Sequence, residues 1–322
     1  MSILVYTESE QGKFKKIALE AVSYAKGIAD MLGTTVTAVS INGGDASELG
    51  TYGASKVLQV SDSKLEQFNA KAYADTVAQA AQKESAKVVI LSSSANSKFF
   101  APLLAIQLDG AYAPNVVALP EGTSPFVVKS NVFTNKAFAK TELKSDIKII
   151  GLSKNAYGLK ENQTSAEAES FSPSLNEADF SVKVEAVDKV TGKATIADAE
   201  IVVSGGRGLK GPENWGMIEE LAEVLGAATA CSKPVSDMGW RPHSEHVGQT
   251  GKPVSSNLYI AIGISGAIQH LAGINSSKVK VVINNDPEAP FFKAADYGIV
   301  GDAFEVVPKL IEKLKEFKAN NA

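Results

Sequence analysis

The sequence predicts an α/β protein of two domains, each with a mostly parallel sheet flanked by helices. Apolar runs typical of buried strands alternate with helical apolar stripes along most of the chain, which is the order of a parallel sheet. The length of 322 residues is enough for two domains of ordinary size. A polar stretch over 188–200 separates two such series, so we expect domains at 1–190 and 191–322.

The first half begins with a β-α-β-α-β-α-β series. Apolar or alternating runs predict its strands, and apolar positions three or four apart predict its helices. Gly33 stands directly after the first helix, where glycine commonly ends helices. In order, the predicted elements are strand 3–6, helix 13–32, strand 36–41, helix 45–52, strand 56–60, helix 65–83, strand 88–91 and helix 98–108.

After Asp109 the pattern changes to short strands separated by Gly, Asn and Pro. We interpret them as an antiparallel extension of the sheet. These strands cover 116–119, 126–133, 137–142 and 147–152. The polar stretch 153–178 has little periodicity and is predicted to be a loop. Residues 180–187 alternate apolar and polar side chains, which predicts one more strand.

The second half repeats the strand–helix order. Pro212 suits the first turn of a helix, and Gly226 stands where that helix is expected to end. The predicted elements are a strand from 201, helix 213–225, strand 227–231, strand 258–262, a helix that includes Gln269 and His270, strand 279–283, strand 295–300 and helix 304–317.

The composition excludes several classes of protein. With 44% hydrophobic and 21% charged residues, the chain is a folded globular protein and not a disordered one. A net charge of −4 is unsuited to general nucleic-acid binding, which needs a basic face. No apolar run approaches the ~18 residues of a membrane span, and the first residues resemble no export or import signal. We therefore expect a cytoplasmic protein that does not span a membrane.

Disulfide and metal chemistry are not expected. Cys231 is the single cysteine, so we interpret it as a small buried residue without an intrachain partner or a zinc ion. His243 and His246 stand three apart without a zinc-binding pattern around them, so we interpret them as a surface pair. Trp215 is interpreted as a packing residue at a domain or subunit interface.

Two glycine-rich turns in the second half predict the functional site. The first is 204–208 (Ser-Gly-Gly-Arg-Gly), and the second is 263–266 (Gly-Ile-Ser-Gly). A strand that feeds such a turn into a helix start presents free backbone N–H groups to an anion. Two such turns in one half of the chain favour a ligand with more than one phosphate, such as a dinucleotide.

Polar side chains recur where the predicted strands of the second half end. Because the carboxyl ends of parallel strands meet at one sheet edge, where open α/β sheets bind ligands, these side chains should converge there. They are Ser204, Ser232, Ser265, Asn284 and Asp302. Gln249 and Thr250, in a glycine-rich stretch between the two turns, add an amide and a hydroxyl.

These residues resemble the electron transfer flavoprotein alpha subunit. The resemblance is carried by 258–273 (LYIAIGISGAIQHLAG), 281–287, 204–208, 247–252 and 296–300, and so covers the whole second half. The first half matches the family only in its α/β order and length. The resemblance implies a Rossmann-like C-terminal domain that binds FAD, and an N-terminal domain that packs with a beta subunit in a heterodimer.

The function that the resemblance implies is electron transport. The protein would be a carrier without a substrate-converting site of its own. It would shuttle electrons from acyl-CoA or related dehydrogenases to an acceptor such as a quinone oxidoreductase.

The resemblance also implies roles for residues around the flavin ring. Arg207 would lie over or near the ring, Ser232 and Thr250 would bond near N5 and O4, and His270 would face the N1–O2 edge. A cation there eases one-electron steps, and His270 is expected to supply it because small shifts move a histidine across neutral pH. Lys233 departs from the arginine usual in the family; it keeps the charge and loses the planar fork.

The remaining implied roles concern the rest of the cofactor. Gln249 would touch the ribityl or pyrophosphate region. Gly263, Ser265 and Gly266 would cradle the pyrophosphate, assisted by Gln269. Asn284 and Asp302 would hold the adenosine end.

Three other functions stay open at this point. A bifurcating, NADH-oxidising electron transfer flavoprotein would carry a second FAD in its beta subunit. An NAD-dependent oxidoreductase would use Gly206–Gly211, which formally match G-x-G-x-x-G, although the expected acidic residue about 20 positions on is missing. A nucleotide sensor would bind AMP or ATP without redox activity.

Overall fold

A computed structural model describes residues 2–133, 135–187, 195–196 and 199–321. The chain falls into two units, one of Met1–Val132 with Ala137–Val187 and the other of Phe133–Lys136 with Asp188–Ala322. Both units are α/β, as the alternation of strands and helices predicted. None of the described helices combines the length and apolar composition that crossing a membrane requires.

The first unit is built on a large sheet with helices on its faces. Its elements are β1 Ser2–Thr7, β2 Ser9–Glu10, β3 Lys13–Phe14, α1 Lys16–Leu32, β4 Thr35–Ile41, α2 Ala46–Thr51, β5 Lys56–Val60, α3 Ala70–Lys83, β6 Val88–Ser92, α4 Ala95–Gln107, β7 Ala111–Val116, β8 Gly122–Thr123, β9 Phe126–Val132, β10 Ala137–Glu142, β11 Lys148–Leu152 and β12 Glu167–Ser170.

The sheet has the order β10-β9-β7-β11-β6-β1-β4-β5-β12, with β8 paired to β9. From β7 to β12 every pair is parallel, and β8, β9 and β10 join antiparallel. One face packs on α1 around Tyr24 and Ile28, and the other packs on α3 and α4 around Phe100. The central strands are therefore buried on both faces, which explains their continuous apolar runs.

Four predictions for the first unit were wrong. The strand expected over 116–119 lies earlier, at Ala111–Val116, and residues 117–119 form no strand. Residues 147–152 do not extend the antiparallel part, since β11 inserts parallel between β6 and β7. The predicted loop 153–178 contains β12, which pairs parallel with β5. The predicted strand 180–187 is absent: a 3₁₀ turn covers Glu177–Phe180, and the residues after it are mostly exposed and form no strand. Alternation alone does not make a strand without a sheet edge to pair with.

Helix starts also differ from prediction, because caps set them. The Asn69 side chain accepts hydrogen bonds from the N–H groups of Lys71 and Ala72, so α3 begins at Ala70. The Ser94 hydroxyl accepts from the N–H of Ser97, so α4 begins at Ala95. Such caps satisfy backbone donors that have no partner in the first helical turn.

Glu20 fixes the connection after β11. Its carboxylate is buried on α1 and accepts hydrogen bonds of 2.8 Å from the backbone N–H groups of Asn155, Tyr157 and Gly158. Glu20→Gln replaces one acceptor oxygen by an NH₂ group that cannot accept. We expect the free energy of unfolding to fall by about 2–3 kcal/mol, because buried N–H groups lose charge-assisted partners. Denaturant unfolding of the full chain measures the loss.

Glu66→Gln is the matched control, since Glu66 is exposed. A surface substitution of this kind changes stability by no more than about 0.5 kcal/mol. Equal unfolding midpoints for the two variants would contradict the anchoring role of Glu20.

The second unit is a smaller, fully parallel sheet with helices on both faces. Its elements are β13 Ile201–Gly205, α5 Gly216–Leu225, β14 Ala228–Cys231, α6 Lys233–Asp237, β15 Leu258–Ile262, α7 Ile268–Ile274, β16 Val279–Asn284, β17 Tyr297–Val300 and α8 Ala303–Asn320.

The strand order of this sheet is β14-β13-β15-β16-β17. Taken in chain order within the unit it is 2-1-3-4-5, so the doubly wound, Rossmann-like class is confirmed with the flavodoxin-like strand order. The order reverses between β13 and β15. In open α/β sheets the crevice outside the strand ends at such a reversal is where ligands bind.

Two cores flank this sheet. Residues of α5 and α8 pack on one face, and α7 and the 3₁₀ turn with Phe291 pack around Tyr259 of β15 on the other. Trp215 belongs to the first core, where its ring lies against Gly205 and Arg241 covers it. Trp215 is therefore a packing residue of this unit, and its predicted place at an interface was wrong.

Candidate functional site

The sheet register of the second unit aligns the strand ends. Gly205 lies opposite both Cys231 and Ile262, and Asn284 lies opposite Val300. The next row outward runs along one edge of the sheet, with neighbours about 4.8 Å apart. It consists of Ser232, Gly206, Gly263, Asn284 and Val300. Ser232 and Asn284 therefore lie in one row along this edge, as predicted, whereas Ser204 lies further in and is buried within β13.

The turn after β15 is held by its carbonyl groups. The carbonyl of Gly263 accepts from the Gly208 N–H at 3.0 Å, that of Ile264 from the Asn284 side-chain amide at 3.0 Å, and that of Ser265 from the Phe291 N–H at 3.0 Å. Gly263 and Gly266 have φ of 63° and 86°, values that favour glycine.

The Gly263 N–H donates to the Ile283 carbonyl at 2.9 Å, and the next three amide groups of the same turn differ from it. Among the described residues, no protein group accepts from the N–H of Ile264, Ser265 or Gly266. Consecutive unpaired N–H groups on a glycine-rich turn form an anion-binding concavity. The turn can therefore hold a phosphate by backbone alone, and we call 263–266 the anion turn.

The turn after β13 packs directly on the anion turn. The Gly206 N–H donates to the Ile262 carbonyl at 2.8 Å. A Cβ added to Gly206 would lie 2.1 Å from the Gly263 carbonyl oxygen, and one added to Gly208 would lie 2.8 Å from the Gly263 Cα. Glycine is thus required at both positions for the contact between the turns. A need to approach a phosphate closely does not explain these two glycines.

The formal G-x-G-x-x-G match lacks its structural context. After Gly206 the chain makes two 3₁₀ turns, Arg207–Leu209 and Pro212–Asn214, and the helix begins only at Gly216. A dinucleotide fingerprint needs the turn to open directly into a helix. This geometry counts against the NAD-dependent alternative.

Three predicted ring contacts surround the same edge. Arg207 is exposed at the turn between Gly206 and Gly208. Ser232 is buried, and its N–H donates to the Gly205 carbonyl at 3.1 Å. Lys233 is exposed and pairs with Asp237 one helical turn on, at 2.8 Å. Arg207 and Lys233 therefore supply the positive charge at this edge, part of it offset by Asp237.

The stretch 246–254 is hydrogen-bonded to both β14 and α7. The Val247 N–H donates to the Cys231 carbonyl at 3.0 Å, and the Gln249 N–H donates to the Gln269 carbonyl at 2.7 Å. Gln249 and Thr250 are exposed, as is Gln269. The backbone thus sets Gln249 beside Gln269, next to the anion turn.

His270 is buried, and one of its nitrogens has a partner. Nε2 lies 3.0 Å from the Tyr259 hydroxyl, whereas Nδ1 has no hydrogen-bond partner among the described residues. Burial, with a smaller effect of His246, lowers the pKa of His270 to about 4. The imidazole is therefore neutral at neutral pH. The expectation that His270 supplies a cation was wrong, because the ring is enclosed beside Phe291.

The surface interpretation of the histidine pair was wrong for His246. Its side chain is 1% exposed, and its Nδ1 has no partner in the described part of the chain. Burial lowers the pKa of His246, and nearby His243 and Lys233 add to the effect. Cys231 is buried as predicted, and burial raises its pKa to about 12.

The side chains of Asn284 and Asp302 make hydrogen bonds that hold neighbouring backbone segments. The Asn284 amide donates to the anion turn, and its side-chain oxygen accepts from the Asp286 N–H at 3.0 Å. Asp302 caps α8 by accepting from the Phe304 N–H at 2.9 Å. Their contacts with an adenosine stay predictions.

Sequence reasoning missed two buried polar residues of the candidate site, Tyr259 and His246. Tyr259 lies within an apolar strand run, and the available signal was its hydroxyl, since a buried tyrosine usually needs a partner. His246 gave no local signal. Across the described ranges, no group of three His, Cys, Asp or Glu side chains could hold a metal ion.

Comparison with known proteins identifies the family. Residues 195–275 match the model described as the electron transfer flavoprotein FAD-binding domain, and residues 3–176 match the electron transfer flavoprotein domain. Electron transfer flavoprotein subunit alpha of Bacillus subtilis is 35% identical over 99% of this chain and 99% of its own length.

Two further relatives are similar over almost the whole chain. The alpha subunit of Thermoanaerobacterium thermosaccharolyticum is 34% identical over 98% of both chains. A protein of Clostridium saccharobutylicum named FixB is 30% identical over 98% of this chain and 96% of its own length. The chain belongs to the electron transfer flavoprotein alpha-subunit family, and FAD is the cofactor of its second domain.

Proposed function

We propose that the chain binds FAD at the edge between β13 and β15, with the pyrophosphate on the anion turn. The observation that carries this proposal is the row of free N–H groups at Ile264, Ser265 and Gly266, in the domain whose family model is the FAD-binding one. Ser265 in the turn and Gln269 after it are exposed and can add polar contacts. Backbone N–H groups there replace the water that an anion would lose on binding.

Residues at the neighbouring strand ends would hold the rest of the cofactor. Arg207, Ser232, Thr250 and His270 would contact the isoalloxazine ring. Gln249 would contact the ribityl or pyrophosphate region, and Asn284 and Asp302 the adenosine end. In support, a buried nitrogen without a partner, such as Nδ1 of His270, costs free energy unless a ligand satisfies it.

Positive charge near the ring would come from Arg207 and Lys233. Bound FAD supplies the redox chemistry, and the protein tunes it through fixed charges and hydrogen bonds. Asp237 neutralises much of the charge of Lys233. Arg207 would therefore be the main cation, and Lys233 a weaker one.

The proposed role is that of an electron carrier in a heterodimer with a beta subunit. Donors would be acyl-CoA or related dehydrogenases, and the acceptor would be a quinone oxidoreductase or a similar protein. Such a role needs a cofactor that is held firmly and reached by partners; it needs no general base or nucleophile in this chain.

The test is co-expression with the beta subunit, followed by absorption spectroscopy, chromatographic identification of the released cofactor and a redox titration. We expect one FAD per heterodimer and reduction by a dehydrogenase with its substrate. A heterodimer without a flavin band would overturn the proposal. Two flavins per heterodimer and reduction by NADH would identify the bifurcating alternative, and nicotinamide binding without flavin would identify the NAD-dependent one.

A further inference from the structure

We propose that Tyr259 is a positioning residue that fixes His270 as the neutral tautomer with its proton on Nδ1. The role of that proton toward FAD rests on the proposed function, whereas the tautomer itself does not. Tyr259 would thereby decide which kind of ligand atom His270 can contact.

The two side chains join separate elements across the anion turn. Tyr259 is in β15, and His270 is in the first turn of α7, so the anion turn lies between them in the chain. Both are buried, the hydroxyl lies 3.0 Å from Nε2, and the ring centres are 6.0 Å apart. The bond therefore orients the imidazole relative to the strand that carries the anion turn.

The proton arrangement follows from the neighbours of each nitrogen. Burial keeps the imidazole neutral and the phenol protonated, so one proton lies on one ring nitrogen and one on the hydroxyl. The Tyr259 hydroxyl lies within hydrogen-bond distance of Nε2, and Nδ1 has no partner among the described residues. The buried phenol O–H needs an acceptor, and Nε2 lies in reach at 3.0 Å, so the Tyr259 hydroxyl donates to Nε2 and the single imidazole proton lies on Nδ1.

This tautomer gives the site a specific chemistry. A buried N–H donor without a well-aligned partner favours a ligand atom that accepts, such as a carbonyl oxygen or an unprotonated ring nitrogen. The opposite tautomer would present a lone pair at the same place and would favour a ligand N–H. Functional histidines commonly have such a partner, which hydrogen-bonds the ring nitrogen opposite the ligand and so fixes the tautomer.

The test uses the heterodimer with the alpha chain labelled at histidine nitrogen. Long-range ¹H–¹⁵N spectra distinguish the two tautomers, and the chain contributes only three histidines. His243→Gln and His246→Gln assign the signals. We expect Nδ1–H at His270, before and after FAD is removed. An Nε2–H signal in the wild-type protein would overturn the inference without any variant.

Tyr259→Phe removes only the hydroxyl. We expect a mixture of tautomers at His270 and FAD binding weaker by about tenfold, the size of one buried hydrogen bond. Tyr24→Phe is the matched control, because Tyr24 is also buried and donates to a carbonyl, that of Ala118 in the first unit. An unchanged His270 spectrum in Tyr259→Phe would contradict the positioning role.

Failure of this inference is distinct from failure of the proposed function. If the heterodimer lacks flavin and His270 carries its proton on Nδ1, the proposed FAD site is overturned and the inference about Tyr259 is supported. If the heterodimer holds one FAD and His270 carries its proton on Nε2, the proposed FAD site is supported and the inference about Tyr259 is overturned.

Discussion

Gly206→Ala is expected to remove most of the FAD from the purified heterodimer. The new methyl group would lie 2.1 Å from the Gly263 carbonyl oxygen, which is backbone and has no rotamer to change. The two turns must separate, and the bonds from Gly206 to Ile262 and from Gly208 to Gly263 would be lost or stretched. We expect less than about a tenth of the wild-type flavin content, and a loss of about 3 kcal/mol in the free energy of unfolding.

Gly216→Ala is the control for the same chemical change. Gly216 is the first residue of α5, and no heavy atom lies within 4 Å of a Cβ placed there. Alanine in a helix is favoured over glycine by up to about 1 kcal/mol, so this variant should keep its FAD and its stability. A Gly206→Ala heterodimer with a full flavin content would refute the close contact between the turns. Flavin absorbance per heterodimer and denaturant unfolding measure the two effects.

Acidification is expected to destabilise the FAD-free chain through His270. An unfolded histidine has a pKa near 6.5, whereas burial lowers the folded pKa to about 4. Between these values the unfolded chain binds a proton that the folded chain does not. The free energy of unfolding should therefore fall by about 1.4 kcal/mol per pH unit, about 3 kcal/mol in all, as the pH falls from 6.5 to 4. Above about pH 6.5 the contribution of the neutral His270 to the free energy of unfolding is fully present.

The difference between wild type and His270→Gln isolates this effect from other acidic transitions. The groups around the imidazole are the Tyr259 hydroxyl, the Val247 carbonyl, the Phe291 ring and His246. His246 also has a lowered pKa, so His246→Gln should remove a second part of the slope. His243→Gln, at an exposed position, is the control. Parallel pH profiles for wild type and His270→Gln would show that the folded protein accommodates the charged ring.

Much of the second unit could be predicted, because its signals are local. Apolar runs marked the strands, and glycines marked the anion turn. The polar residues at strand ends had to meet at one edge once the strands were parallel. The function of Gly206 was not predictable in the same way. Its neighbour is the Gly263 carbonyl, 57 positions away in the chain, and only the folded sheet brings the two turns together.

The wrong predictions share this cause, since each depends on contacts between residues far apart in the chain. His246 is buried because its backbone pairs with Cys231 across an irregular connection, and no periodicity records that pairing. The strand β11 is parallel because it inserts between β6 and β7, although a meander would have placed it beside the preceding strand. The stretch 180–187 has strand-like alternation without a neighbouring strand, so its valines stay largely exposed.

The contact between the two turns also limits how the proposed cofactor site can be re-engineered. Because Gly206, Gly208 and Gly263 touch through backbone atoms, no compensating side-chain change elsewhere makes room for a larger residue at any of them. Variation is confined to side chains that leave this contact untouched, such as Arg207 and Lys233. A library aimed at a different midpoint potential should therefore keep the three glycines and diversify those two exposed cations.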